Sequence, residues 1–264
     1  MPKVANQVSG LSSTDVKSAA RTLDILELLA EFPEGLSLTE IEKHLGIPLS
    51  SLHGLMSTIV NRDFASKVPA TNVYRLGPRL VQIASSYRSQ SNLVSIVDPI
   101  MERLKQITSE TISLTVLQGN MILFVHKRPA EGRVQIVNPV GTRLYAHATG
   151  SGKIMLAYLP AEEINRLYPD EELPALTKNT IRTKTELLAE LAESRQREYA
   201  YDNQESEIGV WAVASCIRGV DGNPVAALSV AAPVFRLDGK DYHKWHSYMV
   251  EGAREASLQL QFTG

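Results

Sequence analysis

Residues 37–61 read SLTEIEKHLGIPLSSLHGLMSTIVN, and this stretch decides the architecture of the first third of the chain. Ser37-Leu38-Thr39-Glu40 has the S-x-x-E form in which a serine and a glutamate satisfy each other's orphan amides at a helix start. Leu38, Ile41 and Leu45 then point one way around that helix. Gly46 supplies the left-handed closure, and Pro48 stops the helix from running on. A second helix carries Leu52, Leu55, Met56 and Ile59 at i, i+3, i+4 and i+7. Two short helices across a three-residue turn form a helix-turn-helix unit.

Upstream, Val16, Ala19, Ala20, Leu23, Leu26 and Leu29 recur every three or four residues, which predicts a helix over 16–30 with that face buried. Phe32-Pro33-Glu34-Gly35 breaks it. Downstream, residues 64–68 and 73–76 read as short strands around Pro69-Ala70-Thr71-Asn72, a hairpin wing. Leu80, Ile83, Ala84 and Tyr87 mark a further amphipathic helix ending at about Ser91, a connector. At about 100° per residue, the apolar stripe of the third helix leaves Ser50, Gly54, Ser57 and Asn61 opposite, with His53 on the flank. A face so polar, so small and so free of acids suits the major groove. Ser50 and Ser51 would meet phosphate at the helix start, and Lys67 and Arg75 would flank the wing tip. Over 48–91, Arg62, Lys67, Arg75, Arg79 and Arg88 stand against Asp63 alone, a local +4 in a chain of formal net charge −2. The predicted partner is double-stranded DNA.

The chain has 264 residues and 44% hydrophobic content, enough for two cores. No apolar run reaches the roughly 20 residues of a membrane span. Residues 1–15 are polar and Ser-rich with no hydrophobic leader, and read as a disordered tail of a cytoplasmic protein. The domains expected are 16–77 (winged helix-turn-helix), 78–92 (connector) and 93–264. In the last, helices are predicted at 98–107 (Ile100, Met101, Leu104 and Ile107 inward), 152–159, 185–198 and 241–260. Strands are predicted at 112–118, 121–127, 135–139, 144–146, 199–201, 210–218 and 225–230. Antiparallel hairpins with helices packed beside them make an α+β domain.

Four segments in order carry a family resemblance: LSLTEIEKHLGIPLSSLHGLMSTI, YRLGPRLVQIA, LYAHATGSGKIMLAYLP and REYAYDNQESEIGVWAVASCIRGVDGNPVAALSVAAPVFRL. Together they resemble the IclR family of bacterial transcriptional regulators. The resemblance implies a winged-helix domain joined to a GAF-like effector-binding domain, a homodimer or dimer of dimers, and a small organic acid effector. Two positions depart from the family pattern. Gly54 stands where a long basic residue is usual, and Leu49 where lysine is common. A mid-helix glycine costs about 1 kcal/mol against alanine and lets the backbone approach a groove closely.

The segment Ala148-Thr149-Gly150-Ser151-Gly152-Lys153 is not a P-loop, since His147 replaces the first glycine and Ile154 follows the lysine. Its amides at Gly150 and Ser151, just ahead of a helix, are an anion seat. The resemblance places an effector carboxylate on Gly150 and Ser151, and a further contact at Asp202, whose structural alternative is a turn-capping aspartate. Ala212 and Ala231 fall where small-acid-binding relatives carry Cys and Ser, while Ser229 keeps its hydroxyl. The pocket is thereby more apolar, suited to an acid with an aromatic or short aliphatic body.

No cofactor, metal site or catalytic group is predicted. His243 and His246 lack a third ligand, Cys216 reads as a small buried hydrophobe, and His126 and His147 read as structural. The alternative function, an enzyme acting on a small organic acid with an accessory DNA-binding domain, lacks a convergent acid–base pair. The leading reading is a ligand-responsive DNA-binding regulator.

Overall fold

The computed structural model describes residues 16–90, 92–131, 135–136, 138–237 and 242–262; the N-terminal segment read as a tail lies outside them. Contacts divide the chain into two units ahead of Asn92.

The first unit comprises helices α1 (Lys17–Glu31), α2 (Leu38–Leu45) and α3 (Leu49–Asn61), strands β1 (Ala65–Val68) and β2 (Val73–Leu76), and helix α4 (Arg79–Gln90). The capping box at Ser37 and Glu40 is formed, and Gly46 closes α2 in the left-handed region at φ 63°. Ile41, Leu52, Met56 and Ile59 meet Ile25, Leu28 and Leu29 of α1 in one core. The predicted face of α1 is buried only in part: Leu29 is in the core and Leu26 packs against it, while its N-terminal members Val16, Ala19 and Leu23 are exposed. Val16 is 68% exposed and Leu23 60%, because the core takes Ile25 and Leu28 beside that stripe. The wing pairs antiparallel, Ala65 opposite Leu76 and Val68 opposite Val73.

The second unit is α+β. Its helices are α5 (Asn92–Thr108), α6 (Gly150–Leu156), α7 (Ala161–Leu167), α8 (Lys184–Arg197) and α9 (Trp245–Phe262). Its strands are β3 (Thr111–Gln118), β4 (Met121–Arg128), β5 (Arg143–Tyr145), β6 (Ala200–Asn203), β7 (Val210–Arg218) and β8 (Pro224–Pro233). All pair antiparallel in one sheet of order β5-β4-β3-β8-β7-β6. Strand alternation sorts residues by size. Ile112, Leu114, Val213, Ile217, Leu228 and Val230 pack on α5 and α9. Ala214, Cys216 and Ala227 lie on the other face with Ile154, Met155 and Leu187 of α6 and α8. Small residues there let α6 sit close to the sheet.

Several boundaries differ from expectation. The α5 helix begins six residues early and runs through Pro99, and Ile107 is 51% exposed rather than inward. Residues Gln135, Ile136, Asn138 and Pro139 are not in a strand, because alternation alone provides no neighbour to pair with. The α6 helix starts at Gly150, two residues early, with Thr149 as its cap. The α7 helix, which follows Pro160, was not expected. The α9 helix is preceded by a 3₁₀ turn at Tyr242–Lys244.

Two glycines set how closely α6 packs. A Cβ at Gly152 would stand 2.2 Å from the Ala146 carbonyl oxygen, and one at Gly150 2.7 Å from that of Ala200. Backbone cannot yield as a side-chain tip can. Gly152→Ala should destabilise the second unit by about 3 kcal/mol, the upper range for overpacking; urea unfolding checks it, and a loss below about 1 kcal/mol would show that α6 floats on the sheet.

Candidate functional site

Two surfaces hold the residues singled out by sequence, one in each unit. On α3, Ser50, His53, Gly54, Ser57 and Asn61 are exposed and Ser51 is half-buried, so one polar face carries all six. Nothing lies within 4 Å of a Cβ built at Gly54. Thr58 donates back to the Gly54 carbonyl at 3.0 Å, and Asn61 reaches Ser57 at 3.5 Å. The start of α3 is less open to phosphate than expected, because Glu42 of α2 accepts from the Leu49 amide at 3.1 Å.

The two wing cations are not equivalent. Arg75 donates to the Glu34 carbonyl at 2.9 Å and pairs with its carboxylate at 3.1 Å, tying β2 to the turn after α1. Lys67 is exposed, with its ammonium 5.7 Å from the Tyr74 ring centroid.

In the second unit, Gly150, Ser151, Asp202, Ala212, Ser229 and Ala231 line a single cavity of about 40 Å³. Register explains the convergence. Thr111, Ala231, Ala212 and Asp202 form one lateral row across β3, β8, β7 and β6, and Ser113, Ser229 and Ala214 form the next. The first turn of α6 stands over these rows, with the Gly152 amide already capped by Thr149 at 3.1 Å. Ile122, Phe124, Leu144 and Val210 supply apolar wall.

Asp202 is buried and caps the turn that follows it. Its Oδ1 accepts from the amides of Glu205 (2.8 Å) and Ser206 (3.2 Å), and its Oδ2 from the Ser206 hydroxyl at 2.5 Å. Burial pushes its carboxyl up to about 6, against the lowering by these bonds. The turn-capping role and a place on the cavity wall thus coexist in one residue.

Sequence reasoning passed over Lys127, Thr111, Ser113 and Asn138, which also line the cavity. Lys127 donates to the Ile136 carbonyl at 2.6 Å, and burial lowers its pKa. The hydroxyls of Thr111 and Ser113, two apart in a core strand, were a legible signal of a polar floor.

The remaining candidates have structural surroundings. Lys153 of the P-loop-like segment is buried and pairs with Glu205 at 2.7 Å, 3.7 Å from Glu190. His126 Nε2 lies 2.6 Å from Asp98, and His147 Nε2 2.9 Å from the Pro174 carbonyl. Burial holds His147 below the usual imidazole range and pushes the Cys216 thiol up to about 12. His243 stacks on Tyr242 and His246 on Tyr199. Among the described residues no three His, Cys, Asp or Glu side chains converge as a metal site, and no helix is long and apolar enough to cross a membrane.

Residues 85–261 match the bacterial transcriptional regulator IclR C-terminal family, and 18–76 match the IclR helix-turn-helix domain. The chain is 31% identical to the transcriptional regulator BhcR of Paracoccus denitrificans, over 96% of this chain and 92% of that one. It is 29% identical to the transcriptional repressor IclR of Escherichia coli, over 92% and 89%. An IclR homologue from Microbacterium hydrocarbonoxydans, solved in complex with 4-hydroxybenzoate, shares the fold with a TM-score of 0.79 at 24% identity, over 92% and 98%.

Asp202 predicts a pH dependence. Its folded pKa of about 6 lies above the ordinary 3.8, so the folded state holds a proton that the unfolded chain gives up. Its contribution to stability is full below about pH 4 and is lost as pH rises through 6. Asp202→Asn should remove that component: the melting temperature of the variant minus that of the parent should climb between pH 4 and 7. A flat difference would mean that Asp202 does not titrate in this window.

Proposed function

The chain belongs to the IclR family of bacterial transcriptional regulators, and from that premise we propose which surfaces do the regulating. The α3 face of Ser50, Ser51, His53, Gly54, Ser57 and Asn61 enters the major groove. Lys67 contacts the flanking backbone, while Arg75 mainly fastens the wing. Because Glu42 answers the first amide of α3, phosphate binding there falls to the Ser50 and Ser51 hydroxyls and the remaining amides. Gly54 brings the α3 backbone within reach of base edges. The protein acts in the cytoplasm as a homodimer or dimer of dimers; the oligomer is supported by exposed Val16 just ahead of α1, Leu23 on α1, and Val81 and Ile83 on α4.

The effector is a small carboxylic acid. Its carboxylate sits at the Gly150 and Ser151 amides, its polar substituent faces Asp202 and Ser229, and its body lies over Ala212 and Ala231. The observation that carries this reading is that all six residues line one cavity. Its 40 Å³ holds a few water-sized groups, at roughly 10–15 Å³ each, which favours a short aliphatic acid. An aromatic acid is the second reading, favoured by the 4-hydroxybenzoate complex of the Microbacterium homologue; it requires the apolar wall to move outward. Effector binding acts on DNA affinity by favouring one of two arrangements of paired recognition helices.

Three experiments test these assignments. Short aliphatic acids at 100 times Kd should stabilise the protein by about 2.7 kcal/mol, and Ala231→Val, which fills the cavity, should abolish the shift; an unchanged shift would place the acid elsewhere. In mobility-shift titrations with the adjacent intergenic DNA, binding should weaken steeply with salt. Gly54→Ala should raise the stability of the first unit by about 1 kcal/mol while lowering operator affinity. Unaltered affinity would show that close backbone approach is not used.

A further inference from the structure

A larger cavity lies in the same unit, lined by a wholly different set of residues. It measures about 250 Å³ and is bounded by Tyr158, Glu198, Cys216, Arg218, Arg254 and Leu258, near the roughly 300 Å³ at which ligand sites begin. It exists because β6 is short. The β6 strand pairs with β7 only as far as Ala200 opposite Ala214, so Ser215–Arg218 run on along an open edge. The α9 helix takes over there: Ser257 accepts from the Arg218 amide at 2.9 Å, and Ser215 donates to the Glu198 carbonyl at 2.8 Å. These bonds tie the edge to its neighbours, but the space between α9, the end of α8 and the turn after α6 is left unfilled.

The charge around this space is unbalanced. The Arg218 guanidinium lies 4.9 Å from the Tyr158 ring centroid, and that of Arg195 5.4 Å from the same ring. Neither has a carboxylate within ion-pair distance among the described residues. Arg195 spends one donor on the Ala157 carbonyl at 3.3 Å. Glu198, the one acid of the lining, is already paired with Arg254 at the rim. Arg195 is exposed, whereas Arg218 is half-buried, and the ring face offsets part of the cost of withdrawing its guanidinium from water. A planar fork of donors beside a cavity, with no acid to receive it, matches a carboxylate or phosphate from outside.

We propose that this cavity is a second ligand site, distinct from the one between α6 and the sheet. It takes a small organic anion, with the anionic group on the Arg218 guanidinium and the apolar part between Tyr158 and Leu258. The site is built from the turn after α6, the residue that ends α8, β7 and α9, so its occupant sits at the far end of α6 from the smaller cavity.

The test uses the full-length protein with benzoate, citrate and inorganic phosphate as probes, at fixed ionic strength against chloride. At least one probe should bind by calorimetry with millimolar or tighter affinity. Leu258→Glu places a negative charge on an exposed position at the mouth, and should weaken that binding at least tenfold without unfolding the protein. Arg218→Gln should abolish it, whereas Ala231→Val should leave it unchanged. Failure of all three probes would overturn the proposal. So would binding that persists in Leu258→Glu and Arg218→Gln, or binding that Ala231→Val alone removes, which would assign the anion to the smaller cavity. Should Arg218→Gln misfold, Leu258→Glu and the crosspeaks of the residue 215–218 amides on probe addition decide the matter.

Discussion

The nearness of one short helix to one short strand governs the effector-domain architecture. The α6 helix rests on the backbone of Ala146 and Ala200 so closely that a single added carbon at Gly152 or Gly150 would overlap a carbonyl. Everything near the smaller cavity follows from that approach. The row of alanine, serine and threonine across β3, β8 and β7 leaves a hollow instead of a filled core. The helix start lies over that hollow, and Gly150 and Ser151 line it. A bulkier sheet face would lift α6 away and leave a conventional apolar layer.

The approach is held laterally by buried charge. Lys153 projects from α6 and meets Glu205, whose own amide donates to Asp202. Thr180 reaches the Glu205 carbonyl at 2.7 Å. An ion pair so far from solvent returns little net stability, because both charges lose their hydration. Its value is positional: an unpaired Lys153 would be so costly that the loop after β6 has one acceptable placement. Asp202 therefore stands on a rigid support, in a network that extends to Glu190 and Arg197 of α8.

Local chemistry was legible wherever a residue type has one dominant use. Ser37 and Glu40 announced a helix start, Gly46 its end, and the apolar run from Val210 to Ala214 a strand. The six pocket residues were also legible, because family resemblance fixes positions that spacing alone does not. What escaped depended on partners far away in sequence. On α1 the predicted stripe is inward at Leu26 and Leu29 but not at Leu23, because only the packing of α2 and α3 decides which residues beside it, Ile25 and Leu28, are covered. Pro99 obscured the start of α5, and α7, with only Ile164 fully buried, has too little pattern to register. The segment at 135–139 alternates like a strand, yet a strand requires a neighbour. Lys127 was invisible as a pocket residue because nothing in its sequence context tells which loop will cover it.

Gly54 separates two demands that usually constrain each other. On most helices an outward position still touches a neighbouring turn or loop, so changing what the helix recognises also changes how well it folds. At Gly54 the surrounding space is empty, and the backbone there is ordinary helix, open to any side chain. A new side chain can thus be introduced on this face while the three-helix core remains intact, and it gains helix propensity over glycine. A lineage carrying such a position can vary the outward surface of this helix in single steps, none of them opposed by packing.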